Sequence, residues 1–416
     1  MKSFKGLNYR RPAYLLILMN LLGFGLLFLA NDQNLNIIYI GAGLLTLFML
    51  IYTIIVLCRM GDKFIVLMAC MLITIGVLLL CRINIDYGIK QIFWVILGGA
   101  VFFAAYAFYY NIKFWDKLWF VYLALGIILF LATLILGTTV NGSRNWIQMG
   151  GFSFQPSEIT KIIFIMFLAC YYSGAWSKPF FNIKPKWVTF IGTYLFICFL
   201  VLQRDWGTIL VFFFIYIFMI YVYEKNFAFL LMNVSAAAIV AILGYKFLYH
   251  IQVRVATWLN PWDDISNTGY QITQSLFAIA SGGYFGKGIG NGSPGYIPEV
   301  HSDFIFSAVC EEMGVFGGAA IILLFFLIAY RCFKIAITAK NPFDKAVCLG
   351  LTLMFSVQTF IIVGGVIKMI PLTGITLPFV SYGGTSIVVN FISLGIIQAI
   401  SAKEERSLGG DVREPK

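Results

Sequence analysis

Polar positions are sparse along this chain, and they divide it into twelve apolar runs: 13–30, 36–58, 64–81, 92–111, 118–137, 159–174, 187–202, 208–223, 227–249, 303–330, 346–367 and 381–402. A helix needs about 20 apolar residues to cross the roughly 30 Å hydrocarbon core of a bilayer, so each run predicts a membrane-spanning helix. Most connections between runs are short. Two are long, residues 138–158 and 250–302, and uncommonly long loops are usually functional or disordered. The second holds Trp258, Trp262, Tyr270, Phe277, Tyr284 and Phe285, an aromatic content that argues for order and for a cap lying on the membrane. Within it, Ile272, Leu276 and Ile279 have the spacing of a short amphipathic helix. Glycines 282, 283, 286, 288, 290 and 292 follow; such density permits positive φ and close approach of backbone amides to a ligand. The pattern therefore predicts an all-α polytopic membrane protein of about 10–12 transmembrane helices, with a large outward-facing loop between residues 250 and 302. No internal repeat is visible. The chain divides into N-terminal transmembrane helices, 1–117, and a core, 118–416, carrying loops 138–158 and 250–302.

Composition sharpens the class. Hydrophobic residues make up 61% of the 416 positions and charged residues 11%, against about 25% charged in soluble domains. With the N-terminus placed in the cytoplasm, 20 of the 29 Lys and Arg fall on the cytoplasmic side, seven on the other, and two, Lys161 and Lys246, inside runs. This is a positive-inside pattern that puts both termini in the cytoplasm and both long loops outside. The net charge of +11 is then topology and contact with anionic lipid, and it gives no support for nucleic acid. The first run has a basic flank but no small-residue cleavage site, so it reads as a retained helix. The eight cysteines lie in or beside runs without a CxxC, which excludes disulfide and zinc frameworks. The two histidines, His250 and His301, are too few for a histidine-rich metal site.

Ionisable residues within membrane runs are costly and usually functional. Lys161 follows "FQPSE", in which Pro156, Ser157 and Glu158 have the character of a helix start. Glu311 and Glu312 lie about 12 to 13 Å into the run that begins at Asp303, at 1.5 Å per residue. Lys246 and Lys368 stand near outer helix ends. A transporter places such groups near the midplane; here they gather in the outer half. The expectation is a cavity open to the outer face and roofed by the loop around Asn260, with cations for an anion and carboxylates for a base. Snorkelling accounts for a lone lysine such as Lys246 but not for two adjacent glutamates, which point about 100° apart on a helix.

Five stretches in order, "NGSRNWIQMGGFSFQPSEITK" (141–161), "QRDWGT" (203–208), "NPWDDISNTGYQITQSLFAIASGG" (260–283), "IPEVHSDFIFSAVCEEMGVFG" (297–317) and "PLTGITLPFVSYGGTS" (371–386), resemble the SEDS family of shape, elongation, division and sporulation proteins, the RodA/FtsW group. The resemblance implies a peptidoglycan glycosyltransferase that polymerises lipid II on the outer face of the bacterial cytoplasmic membrane, partnered by a class B penicillin-binding protein. It places the catalytic carboxylate on Asp264, with Asp263 its less constrained neighbour. It also carries over Glu158 and Lys161, His301 and Asp303, Glu311 and Glu312, and Ser381. Asn145 stands where the family has Arg, with Arg144 one place earlier; Arg204 and Trp206 depart from the usual "QPDxGT", and Ile265 from the usual Pro. The family usually has ten spans, and the surplus here lies before residue 118.

In lipid II polymerisation a sugar hydroxyl attacks an anomeric carbon whose leaving group is a polyprenyl pyrophosphate, which calls for a base and for cations. Asp264 is the expected base. Arg144, Lys161, Arg204, Arg254 and Lys368 are the expected cations, with Glu158, Gln271, Ser275, His301 and Ser381 as further substrate contacts. Pyrophosphate leaves without an acid catalyst, unlike the leaving group of glycoside hydrolysis. Glu311 and Glu312 are therefore expected to orient lysines or hold a divalent cation, and no other cofactor is implied. Three other readings use the same features: a lipid-linked oligosaccharide flippase or transporter, a non-catalytic scaffold of the cell-wall machinery, and a ligase moving a lipid-linked glycan to another acceptor.

Overall fold

The computed structural model describes residues 10–31, 33–140, 142–149, 152–176, 179 and 183–410. Every predicted span is a helix: α1 Arg10–Ala30, α2 Leu35–Leu57, α3 Lys63–Ile83, α4 Ile85–Asn111, α5 Trp119–Leu136, α6 Pro156–Tyr172, α7 Pro185–Leu202, α8 Trp206–Tyr223 and α9 Phe227–Phe247. After two further short helices, α10 Tyr249–Leu259 and α11 Tyr270–Gly282, come α12 Ile305–Thr338, α13 Pro342–Val366 and α14 Gly384–Gly410. Among the described residues, 11 helices are long and apolar enough to cross a membrane. The twelfth predicted span, α6, has 17 residues and is buried in the bundle.

Side-chain caps set several starts. Asn34, Asp62, Asn84 and Asp205 each accept a backbone N–H from the first turn of α2, α3, α4 and α8, satisfying amides that the helix leaves open. The cap at Asn84 starts α4 seven residues before its apolar run, because Asp86, Lys90 and Gln91 interrupt the pattern without interrupting the helix. In the core, α4 lies along α14 at small residues: a Cβ at Gly98 would stand 2.2 Å from the Phe391 ring, and one at Gly395 2.6 Å from the Phe102 carbonyl. Where lipid is as apolar as the side chains, such close backbone approach is what joins helices. The most enclosed helices are α3, α13 and α14, whereas α9 is only 11% buried and lies at the periphery.

The first long loop is more regular than the sequence pattern foresees. Strands β1 Thr138–Val140, β2 Ser143–Met149 and β3 Phe152–Phe154 form a three-stranded antiparallel sheet, in that order. Gly142 has φ +81°, and the Asn141-Gly142 and Gly150-Gly151 pairs are hairpin signals. The sheet is tied to the α7–α8 corner by Arg144 N–H donating to the Gln203 carbonyl, 3.0 Å, and by Ser143 Oγ donating to the Arg204 carbonyl, 3.0 Å.

In the second long loop α11 forms as its spacing predicts, with Ile272 buried. It packs along α12, its Ser275 Oγ 2.7 Å from Ser307 Oγ. The glycines after α11 have a structural partner. Helix α12 is broken at Gly314, φ 70° and ψ −174°, and the freed backbone pairs with the glycine loop: Lys287 N–H to the Glu311 carbonyl and Gly288 N–H to the Glu312 carbonyl, both 3.0 Å, and Val315 N–H to the Gly283 carbonyl, 2.9 Å. A Cβ at Gly314 would meet the Tyr284 carbonyl at 2.2 Å. Backbone polar groups within a membrane protein need internal partners, and here the loop supplies them to the helix.

Candidate functional site

A cavity of about 720 Å³ opens at the end of the bundle that carries the sheet and the 250–302 segment. Its walls come from α4 (Lys90, Trp94), β2 (Asn145, Trp146), the α7–α8 corner (Arg204, Asp205), Arg254 of α10, the turn before α12 (His301, Asp303) and residues 373–386. Asp205 joins α8, β2 and α6. Its Oδ1 accepts Thr208 N–H of α8, 3.2 Å. Its Oδ2 accepts Asn145 Nδ2 of β2, 3.3 Å, Ser157 Oγ of α6, 3.1 Å, and Gln155 Nε2, 3.4 Å. Four donors on one buried carboxylate are strong, charge-assisted interactions. The asparagine at 145, where the family pattern has arginine, is one of them.

Arg204 and Glu299, both on the cavity wall, hold positive φ of 58° and 55°, a conformation that costs a non-glycine residue free energy and tends to persist at functional sites. Arg254 donates to the Leu372 carbonyl, 3.1 Å; burial lowers its pKa, while Asp303 and Asp205 act the other way. Burial lifts the Asp303 carboxyl to about 6, against the opposing pull of a Ser302 hydrogen bond and of Arg254. His301 stacks on Tyr87 at 4.6 Å, and burial lowers its pKa, which favours the neutral imidazole.

Of the residues expected from the sequence, Glu158, Arg204, Arg254 and His301 line this cavity. Lys161 lies behind Glu158, its Nζ 2.9 Å from Glu158 Oε1 and 3.0 Å from Gln358 Oε1. It reaches the cavity only through Glu158, whose Oε2 is buried without a hydrogen-bond partner among the described residues. Arg144 turns back to the end of α5, donating to the Gly137 carbonyl at 2.9 Å and the Ile135 carbonyl at 3.3 Å. Lys368 donates to the Leu259 carbonyl, 3.2 Å. Ser275 is buried against Ser307, and Ser381 pins its own loop through Ser302 and Leu377. Gln271, in the first turn of α11, lies outside the lining.

Glu311 and Glu312 do not share a cavity with Lys161 as the outer-half clustering of charge suggests. Both face the glycine loop. Lys287 Nζ and Ser293 N–H meet Glu311 Oε1 at 2.7 and 3.0 Å. Arg82 Nε, from the end of α3, meets Glu312 Oε1 at 3.1 Å, and Gly290 N–H meets Oε2 at 3.1 Å. Among the described residues no group of three or more His, Cys, Asp or Glu could hold a metal ion.

Asp264 ends the short 3-10 turn Pro261–Asp264 between α10 and α11. Its Oδ1 accepts Asn267 Nδ2, 2.9 Å, and its Oδ2 accepts Thr268 N–H and Oγ1, 3.2 and 3.1 Å. These bonds, the Thr268 amide foremost, hold the carboxyl below its usual range, so it is ionised and accessible. Residues 255–298 contribute nothing to the cavity wall, and α11 packs along α12. Asp205 is the residue that sequence reasoning passed over, although "QRDWGT" contained it.

Residues 49–406 match the family of FtsW, RodA and SpoVE, described as cell cycle protein. The chain is 32% identical over 339 residues to peptidoglycan glycosyltransferase RodA of Mycobacterium tuberculosis (strain ATCC 25618 / H37Rv), covering 77% of this chain and 71% of that protein. It is 34% identical over 365 residues to stage V sporulation protein E of Bacillus subtilis, covering 82% and 96%. Among solved structures, a chain from a study of how a peptidoglycan synthase complex coordinates polymerization and crosslinking superposes with a TM-score of 0.68 at 22% identity, covering 83% of this chain and 98% of that one. The Thermus thermophilus rod shape determining protein RodA superposes at 0.61 and 23% identity, covering 82% and 96%.

Proposed function

Since the chain belongs to the FtsW, RodA and SpoVE family of cell cycle proteins, we infer that it is a peptidoglycan glycosyltransferase of the membrane, polymerising lipid II into glycan strands. The observation that carries this reading is the cavity at one end of the bundle, which Arg204 and Arg254 both line, supplying the cations that a lipid-linked diphosphate requires. Its lining comes from helix ends, β2 and loops at that one face, which favours chemistry there over a passage through both leaflets. The reaction forms a bond from an acceptor sugar oxygen to the donor's anomeric carbon and releases polyprenyl pyrophosphate. Arg204 and Arg254 offset the charge that develops on the departing diphosphate. Asp264 takes the acceptor hydroxyl proton. Its two hydrogen-bonded oxygens fix its direction, and one of its donors has to yield to the hydroxyl. The face carrying the cavity is the outer one, both termini are cytoplasmic, and a class B penicillin-binding protein is the partner.

A second reading of the base rests on Asp303, which lines the cavity and has a carboxyl lifted to about 6, nearer the value suited to proton transfer at neutral pH. Purified protein, tested with labelled lipid II and a partner whose own catalytic site is disabled, separates the two. On the Asp264 reading, Asp264→Asn lowers polymer formation by about 10²-fold or more, while Asp263→Asn and Asp303→Asn cost much less. Wild-type polymer from Asp264→Asn with none from Asp303→Asn reverses the assignment. Wild-type polymer from both removes the proposed chemistry.

A further inference from the structure

At the opposite end of the bundle a second cavity, about 510 Å³, lies where the end of α2, the start of α3, the later turns of α12 and the end of α14 meet. Arg59, Lys63, Arg331 and Lys334 line it with two carboxylates, Asp62 and Glu405. Asp62 is already engaged: it caps α3 through Phe64 N–H, 2.9 Å, and pairs with Arg331, which also lies 4.2 Å over the Phe64 ring. Arg59, Lys63 and Lys334 share the rest of the lining with Glu405.

Several features of this pocket suit an anion. Lys63 stands in the first turn of α3, the positive end of the helix dipole, where a cation is disfavoured. Arg59 has φ +50°, a left-handed conformation costly for a side chain of its size. Its guanidinium makes no hydrogen bond or ion pair with the described residues. The turn that carries it is clamped, since Asp62 N–H donates to Ser401 Oγ at 2.9 Å and a Cβ at Gly61 would stand 2.7 Å from the Ala402 nitrogen. Around it Leu57, Tyr330 and Ile337 are 76%, 59% and 73% exposed, apolar surface of the kind that lipid chains cover.

We propose that this pocket binds a phosphate-bearing anion, the headgroup of an anionic phospholipid in the leaflet at that face. Basic pockets between membrane helices recognise such groups, at about 1 kcal/mol per cation or roughly five-fold in affinity. The inference does not depend on the glycosyltransferase reading. The test uses the purified full-length chain, delipidated in detergent at fixed salt, with native mass spectrometry of phosphatidylglycerol and phosphatidylcholine adducts. Phosphatidylglycerol is expected to bind at least about 10-fold more tightly. Arg59→Asn with Lys334→Gln should lower that affinity about 25-fold; asparagine tolerates the left-handed backbone, and Arg331 is left intact because it holds Asp62. Lys225→Gln with Lys345→Gln, on the same face but outside the pocket, should change it less than about two-fold. Displacement of the lipid by millimolar inorganic phosphate assigns the pocket to a soluble phosphate; retention assigns it to the headgroup. Equal binding of the two lipids by the wild-type chain, a comparison that needs no variant to fold, overturns the proposal. So does an equal loss in the control pair, which would mean diffuse surface charge.

Discussion

Protonation of Asp303 near pH 6 gives the cavity a charge that varies within the working range, while Asp264 is held ionised below its usual value. As pH falls from about 7.5 to 5.5 Asp303 loses its negative charge and the cavity becomes more favourable to a diphosphate. If Asp264 is the base, KM for lipid II falls roughly five-fold over that interval, kcat holds, and Asp303→Asn removes the dependence. If Asp303 is the base, kcat instead drops about ten-fold per pH unit below 6. A pH series of polymerisation rates decides. Side chains that act through neighbours in the chain were legible beforehand: Glu158 and Lys161 are three residues apart on α6 and pair as that spacing suggests. Asp205 was not, and of Asp303 only its place in a motif was. The donors to Asp205 come from β2, the turn before α6, and α6, and the raised carboxyl of Asp303 follows from burial that only the folded chain creates.

At the level of elements the twelve helices were readable because a lipid solvent imposes a minimum apolar length. The sheet was not, since its longest strand has seven residues and lies in what composition alone marks as a loop. The break in α12 was hidden for another reason. A glycine inside a long apolar run looks like a packing residue, and only the facing glycine loop reveals that Gly314 leaves the helix. The same loop is tethered through Arg82 and Glu312, whose side chains are 27% and 0% exposed. Removing one partner of so enclosed a pair leaves a buried charge unsatisfied. Glu312→Gln should lower the melting temperature by several degrees, and Arg82→Gln with Glu312→Gln should lower it by less than the two single losses combined, a coupling of about 0.5–3 kcal/mol. Melting of the purified variants in one detergent measures it, and additive losses would uncouple α3 from the loop.

For the whole molecule, the proposed topology, which rests on the positive-inside charge balance, puts both ends of the chain in the cytoplasm. With Cys58 and Cys198, the exposed cysteines, replaced by serine, Ser293→Cys should react with an impermeant maleimide in intact cells and Ser407→Cys only after permeabilisation; the reverse order would invert the topology. The separation of the Asp264 turn from the cavity also bears on how a strand of unlimited length is made. A chamber of about 720 Å³ is a fixed container, and the turn is no part of its wall. On the proposed chemistry the container admits one lipid-linked unit per cycle, and the product, which outgrows any enclosure, is carried outside it. Strand length is then governed by how long the product stays bound outside the container, and monomer choice by the container's walls, so the two can evolve independently.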